Sequence, residues 1–157
     1  PGITIPEMKS RLRRLHNLDL VVIDYLQLMS SGRKIDSRVN EISEITRNLK
    51  ILAKEMNVPV ITLSQLSRAA EKRDDHRPQI ADLRDSGSIE QDADIVMFLY
   101  RSNYYDKDKE SQEETEVVDL SLAKHRNGGI GKIQLAFEKN ISRFTNLQAS
   151  GDDIYAH

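Results

Sequence analysis

The stretch "LDLVVIDYLQLM", residues 18–29, decides how the rest of the chain is read. From Leu18 to Ile23 only Asp19 is polar, and Asp24 then stands where a strand should end. Short β-branched runs of this kind fit a strand buried on both faces, as in a parallel sheet. Ligands of open parallel sheets bind beyond the carboxyl ends of the strands, so Asp24 falls where a site would lie.

Working outward, the pattern alternates between strand and helix. "IPEMKSRLRRL" spaces Met8, Leu12 and Leu15 by four and three behind Pro6, which predicts a short helix. Residues 36–57 place Val39, Ile42, Ile45, Leu49, Leu52 and Met56 at helical spacing, with Asp36 or Ser37 able to cap the first turn. "VPVITLSQ" predicts a second strand. A polar stretch from Ser67 to Pro78 follows, and "DADIVMFLY" predicts a third strand. Strand, helix and strand with continuous apolar strands imply a parallel sheet covered on both sides. From about residue 116, "TEVVDLSLAKHR", a turn at Asn127–Gly129, "GKIQLAFEKN" and "SRFTNL" predict an antiparallel extension of that sheet.

Composition narrows the chemistry. The 157 residues are 38% apolar, enough for one ordinary core, and favour a single domain. Cysteine is absent, and no ligand spacing links His16, His76, His125 and His157. Disulfide scaffolds, zinc fingers and iron–sulfur sites are thereby set aside. No window approaches the ~20 apolar residues of a membrane span, and no signal pattern opens the chain, so the default expectation is cytoplasmic. The net charge is −2, but residues 106–119, "DKDKESQEETEVVD", hold seven acids against two lysines. They predict a solvated acidic loop on a mildly basic body. The ending "QASGDDIYAH" has little to bury and is expected to be a flexible tail, 148–157.

An apolar strand ending in Asp has the form of a Walker B element, whose carboxylate orders Mg²⁺ and its waters beside nucleotide phosphates. The ordinary alternative for Asp24 is a loop cap at a strand end. Gln65 should end the adjacent strand, where an amide can orient groups around a terminal phosphate; otherwise it hydrogen-bonds its own loop. Lys124 and Arg126, two apart on an expected strand, share a face next to a glycine turn. They fit either a phosphate site or a solvated edge strand protected by charge. "DLRDSGSIEQDADIV" joins Arg84 to the flexible Ser86–Gly87–Ser88 and a helix start. Such a backbone with an arginine suits phosphate-backbone binding, and the alternative is a helix capped by Ser86 or Ser88.

Taken in order, "LDLVVIDYLQLM", "VITLSQLSR", "DLRDSGSIEQDADIVMFLYR" and "LSLAKHRNGGIGKIQLAFEKNISRFTNL" closely resemble the C-terminal motor domain of the bacterial replicative DNA helicases of the DnaB family. The resemblance runs from Pro1 to about Leu147. It implies an α/β fold: a partial RecA-like core with a mostly parallel sheet flanked by helices and a C-terminal antiparallel hairpin extension. It also implies ATP and Mg²⁺ as cofactors, a homo-hexameric ring around single-stranded DNA, and a helicase loader and primase as partners. Carried over by position, Asp24 matches the carboxylate that holds Mg²⁺ through water. Gln65 matches the glutamine coupling the γ-phosphate to the DNA loops. Lys124 and Arg126 match the pair that reaches across a subunit interface, Arg126 as the arginine finger. Arg84, Asp85 and Gly87 match the strand-contacting loop, with any contact from Asp85 coming through its backbone N–H. Family members often carry Glu there, so Asp85 is a mild departure.

No G-x-x-x-x-G-K-[ST] occurs; the one Gly-Lys pair, Gly131–Lys132, is followed by Ile133. The expectation is a C-terminal motor fragment that carries half a nucleotide site, hydrolyses no ATP by itself and leaves a strand edge exposed. Other readings are a recombinase-type relative, which would not share "SGSIEQDAD" and "KHRNGG", and a non-catalytic DNA-binding or assembly module. A carboxylate–metal nuclease on Asp24, Asp82, Asp85 and Glu90 would need acids from separate elements to converge.

Overall fold

A computed structural model of the chain describes residues 2–101 and 114–147, the side chains of 84–86 excepted. The core of the acidic run and the C-terminal tail, 148–157, therefore lie outside the described residues. Two compact units are present, Pro1–Glu71 with Gln79–Asp94 and Lys72–Pro78 with Ile95–His157.

The first unit is built on a parallel strand–helix–strand. Helix α1, Ile5–Leu12, starts where the Thr4 hydroxyl accepts the Glu7 N–H while the Glu7 carboxylate accepts the Thr4 N–H, a reciprocal cap with Pro6 in the first turn. Met8 is its buried residue; Leu15 lies beyond the helix and is exposed. Strand β1, Val21–Ile23, pairs in parallel with β2, Val60–Thr62, with Val22 opposite Ile61. Between them runs α2, Arg38–Met56. Ser37 occupies its N-cap position without a side-chain bond, and Asn57 ends it in the left-handed region at φ 53°, which Asn tolerates. Ile42, Ile45, Leu49 and Leu52 enter one core with Met8, Val21, Ile23, Leu26, Met29 and Val58. Val39, counted on the same stripe, is exposed.

Burial of the parallel strands on both faces is not observed. Val22 and Ile61, directly opposite one another, are 59% and 43% exposed. Within this unit α1 and α2 pack on one face, and cross-strand partners share a face, so the other row stays open. Past β2 the chain makes a long 3₁₀ segment, Ile80–Ser86, and then a short helix α3, Gly87–Asp92.

The second unit is a four-stranded antiparallel sheet in sequential order: β3 Ile95–Tyr100, β4 Thr115–His125, β5 Gly131–Glu138 and β6 Arg143–Asn146. The strand expected from "DADIVMFLY" is β3, which pairs antiparallel with β4, so the antiparallel ladder begins there. Its burial alternates, with Val96 and Phe98 inside and Ile95, Met97 and Leu99 exposed, as an antiparallel strand with one covered face requires. The register slips between Val96, opposite Lys124, and Met97, opposite Leu122, which leaves Ala123 as an extra residue on β4.

Two acids of the supposed solvated run also behave otherwise. Glu116 and Asp119 lie on β4, buried and ion-paired, Glu116 with Arg101 and Lys139, Asp119 with Arg77 and Lys132. Burial raises both carboxyl pKa values, but hydrogen bonds from these partners outweigh it and hold both below the ordinary range. Arg77 also stacks over the Tyr100 ring at 4.7 Å, and the Tyr100 hydroxyl donates to the Asp75 carbonyl, so the segment Lys72–Pro78 is tied to the sheet. No helix among the described residues is long and apolar enough to cross a membrane.

Candidate functional site

Parallel pairing brings the ends of β1 and β2 to one edge. The Leu63 N–H donates to the Ile23 carbonyl at 2.9 Å and the Leu26 N–H to the Leu63 carbonyl at 2.9 Å, so the ladder continues around Asp24. Asp24 is exposed, and its carboxylate makes no hydrogen bond or ion pair with the described residues. It caps no loop, which removes the ordinary alternative. Gln65, three residues beyond β2, is exposed too, and its side-chain amide is equally unengaged among the described residues.

The main chain of Gln65 is held instead. Gln27 Oε1 accepts the Gln65 N–H at 3.2 Å, and Gln27 Nε2 donates to the Gln65 carbonyl at 3.4 Å and to Ser64 Oγ at 3.0 Å. Arg38, at the start of α2, donates to the Gln27 carbonyl at 2.6 Å and to the Met29 carbonyl, and pairs with Glu41. The Ser31 N–H, then Arg38, hold the Glu41 carboxyl below its usual pKa. Gln27, Arg38, Ile42, Gln65, Leu83 and Ile89 line a cavity of about 260 Å³ beside these loops. Gln27 and Arg38 escaped the sequence reading; the only signal was a polar residue inside the apolar run "YLQLM".

Among the described residues no three His, Cys, Asp or Glu side chains could together hold a metal ion. A single exposed carboxylate at a strand end fits Mg²⁺, which keeps several waters and takes its remaining oxygens from phosphates. It does not fit a self-contained metal centre. The nuclease quartet is not assembled either: Asp82 is buried and spends its carboxylate on the Gln79 N–H at 2.7 Å, as a cap of the 3₁₀ segment.

For the segment expected to contact a DNA strand, the side chains of Arg84 and Asp85 lie outside the described residues. Their backbone belongs to the 3₁₀ segment, and Gly87 opens α3, exposed, with nothing within 4 Å of where a Cβ would stand. The Ser88 hydroxyl is buried without a hydrogen-bond partner among the described residues, so it does not cap α3. The far end of α3 is fastened to α2, where Thr46 Oγ1 donates to Asp92 Oδ2 at 2.6 Å and Lys50 Nζ bonds the Asp92 carbonyl and Asp94.

In the second unit Lys124 is half-buried near the end of β4, whereas Arg126 is exposed in the turn that follows His125. The shared-face argument for the pair is corrected: it needs both residues on the strand, and Arg126 lies in the turn beyond the end of β4. A Cβ at Gly128 would meet the His125 ring, which would have to turn aside to admit it.

A family model described as the DnaB-like helicase C terminal domain matches residues 1–146. The chain is 51% identical to the replicative DNA helicase DnaC of Bacillus subtilis, over 98% of this chain and 34% of that protein. It is 50% identical to the replicative DNA helicase DnaB of Geobacillus stearothermophilus, with the same coverage. The chain thus spans about a third of the length of these relatives. A solved DnaB-like replicative helicase, described with its interactions with primase, superposes with a TM-score of 0.84 at 47% identity, covering 94% of this chain and 36% of that one. A second solved structure, described as an ATPase domain, gives the same TM-score and identity over 94% of this chain and 52% of its own. The RecA-like α/β class expected from the sequence is the class of these helicase domains.

Proposed function

Because this chain belongs to the DnaB-like helicase C-terminal domain family, we propose that it forms the C-terminal part of the motor of an ATP-dependent replicative DNA helicase. The parent would act in the cytoplasm as a homo-hexameric ring translocating on single-stranded DNA, with a helicase loader and primase as partners. Residues 1–147 would be motor and 148–157 a tail. One observation carries the reading: the Asp24 carboxylate and Gln65 amide stand exposed and unengaged by described residues at the carboxyl ends of neighbouring parallel strands.

In this reading Asp24 holds a water shell at the nucleotide phosphates. Bound Mg²⁺ supplies neutralisation of phosphate charge there. Gln65 aims its amide at the terminal phosphate, and its state is passed to the strand-contacting segment. Lys124 and Arg126 serve the site of an adjacent subunit, where cations offset the charge developing on the transferred phosphoryl group. Arg84 and the backbone N–H groups of Asp85 and Gly87 hold phosphates of the strand without reading bases.

The test is complementation in the full-length protein. Arg126→Ala should leave ring formation and nucleotide binding intact while turnover falls by about a thousandfold or more, far beyond the ~0–1 kcal/mol of a solvated ion pair. Mixing it with Asp24→Asn subunits should restore ATPase activity, since only mixed rings pair an intact Asp24 site with an intact Arg126. Unchanged turnover in Arg126→Ala, or no recovery in rings shown to be mixed, rejects the trans-acting role.

A further inference from the structure

Gln27 stands three residues beyond Asp24, and its side chain joins the two loops at the carboxyl edge of the parallel pair. Its amide accepts from the N–H of Gln65 and donates to the carbonyl of the same residue. A primary amide offers one acceptor and two donors in a plane, so this two-point contact imitates a neighbouring strand and restrains both the position and the tilt of the backbone at Gln65. The restraint falls on main chain only and leaves the Gln65 side chain available. Gln27 is itself held, because its carbonyl accepts from Arg38, which is anchored to Glu41 on α2.

We infer that Gln27 is a positioning residue for nucleotide sensing: it fixes the backbone of Gln65 relative to Asp24, so that one rigid edge presents both side chains to the nucleotide. The inference rests on the proposed reading of Asp24 and Gln65 as nucleotide contacts. The contacts from Glu41 through Arg38 and Gln27 to Gln65 run beside the cavity that Leu83 and Ile89 also line, and those two residues flank 84–88. Loosening Gln65 should therefore harm DNA-stimulated turnover rather than nucleotide binding.

The experiment compares full-length wild type with Gln27→Leu, Gln27→Glu, Gln65→Ala, Asp24→Asn and the Gln27→Leu/Gln65→Ala pair. ATP turnover is measured with and without single-stranded DNA, beside thermal melts. Gln27→Leu should lower the DNA-stimulated kcat about ten- to hundredfold, the cost of misplacing a reacting group by about 1 Å. KM for ATP should move by less than about threefold, because binding is not what is lost. Gln27→Glu, which keeps an acceptor for the Gln65 N–H, should recover part of the loss. In the Gln65→Ala background Gln27→Leu should cost less than about twofold more, since it acts through that side chain; a merely structural role would multiply the two losses. Wild-type kcat in Gln27→Leu, a loss carried by KM, or multiplying losses would each overturn the inference. If Gln65→Ala or Asp24→Asn turns over normally, the reading of the site itself fails and this inference with it. If those two are impaired and Gln27→Leu is not, only the role of Gln27 falls. Should Gln27→Leu melt below assay temperature, Gln27→Glu decides: reduced kcat at unchanged KM upholds the role, and wild-type kcat overturns it.

Discussion

Asp119 offers a quantitative test of the second unit. Its residue surface is only 8% exposed, and its carboxylate accepts from Lys132 at 2.7 Å, Arg77 at 2.9 Å and Gln134 at 3.1 Å. Asp119→Asn keeps the volume and removes the charge. The side chains of Arg77 and Lys132 are 46% and 44% exposed, so both cations recover water when the carboxylate is lost. That excludes the ~3–5 kcal/mol of a fully buried broken pair, while burial of the acid lifts the effect above the ~0–1 kcal/mol of a surface pair. About 1.5–3 kcal/mol, the range for hydrogen bonds to charged groups, is expected at pH 7. Because the folded pKa is depressed, this stability is present above the unfolded value of about 3.9 and is lost as pH falls through the folded value. Native-state hydrogen exchange at β4 and β5 in the full-length protein reads it locally. A wild-type advantage under about 0.5 kcal/mol at pH 7, or one unaltered below about pH 3.5, would refute the argument.

Other outcomes follow from particular contacts. Ile45 has no exposed surface, and Ile45→Ala should cost about 2–5 kcal/mol in urea unfolding; a cost below about 1 kcal/mol would mean that the α2 stripe is not core. Asn57→Gly should be nearly neutral and Asn57→Val should cost about 1–2 kcal/mol, because the left-handed cap penalises a branched Cβ; equal melting temperatures would contradict this. Thr46→Val should speed hydrogen exchange in α3 by an amount equal to about 1.5–3 kcal/mol, the bond to a carboxylate that it removes, and unchanged exchange would show that α3 is held otherwise. In the proposed parent ring, Arg84→Ala should weaken single-strand binding alike for all sequences and reduce the salt slope by about 0.7. A sequence-selective loss would mean base readout instead.

What could be read in advance depended on how local its cause is. Helix α2 was legible because Ile42, Ile45, Leu49 and Leu52 repeat at the period of the helix and all are buried. Thr46, on the same face, was not, since its burial depends on a hydroxyl partner, Asp92, on another element. The strand β3 was legible as a strand, but its neighbour was not: backbone hydrogen bonds are generic, and "IVMFLY" suits a parallel or an antiparallel partner equally. Asp24 and Gln65 could be paired in advance because parallel strands carry their ends to one edge. Gln27 could not, because its amide meets a backbone 38 residues away. Glu116 and Asp119 were misread for a related reason. Averaging charge over the run hid the separate cations that each meets in space.

The extra residue at Ala123 bears on how this chain can vary in length. Along most of β4 an insertion or deletion would move every later side chain to the opposite face, exchanging Val118 for a neighbour in the core. At Ala123 the register already absorbs one surplus residue, so a sequence shorter by that residue could keep Leu122 opposite Met97 and Lys124 opposite Val96 in an unbroken ladder. The junction between the packed half of the strand and its cationic end is therefore where this sheet can accept a change in chain length without reassigning its faces.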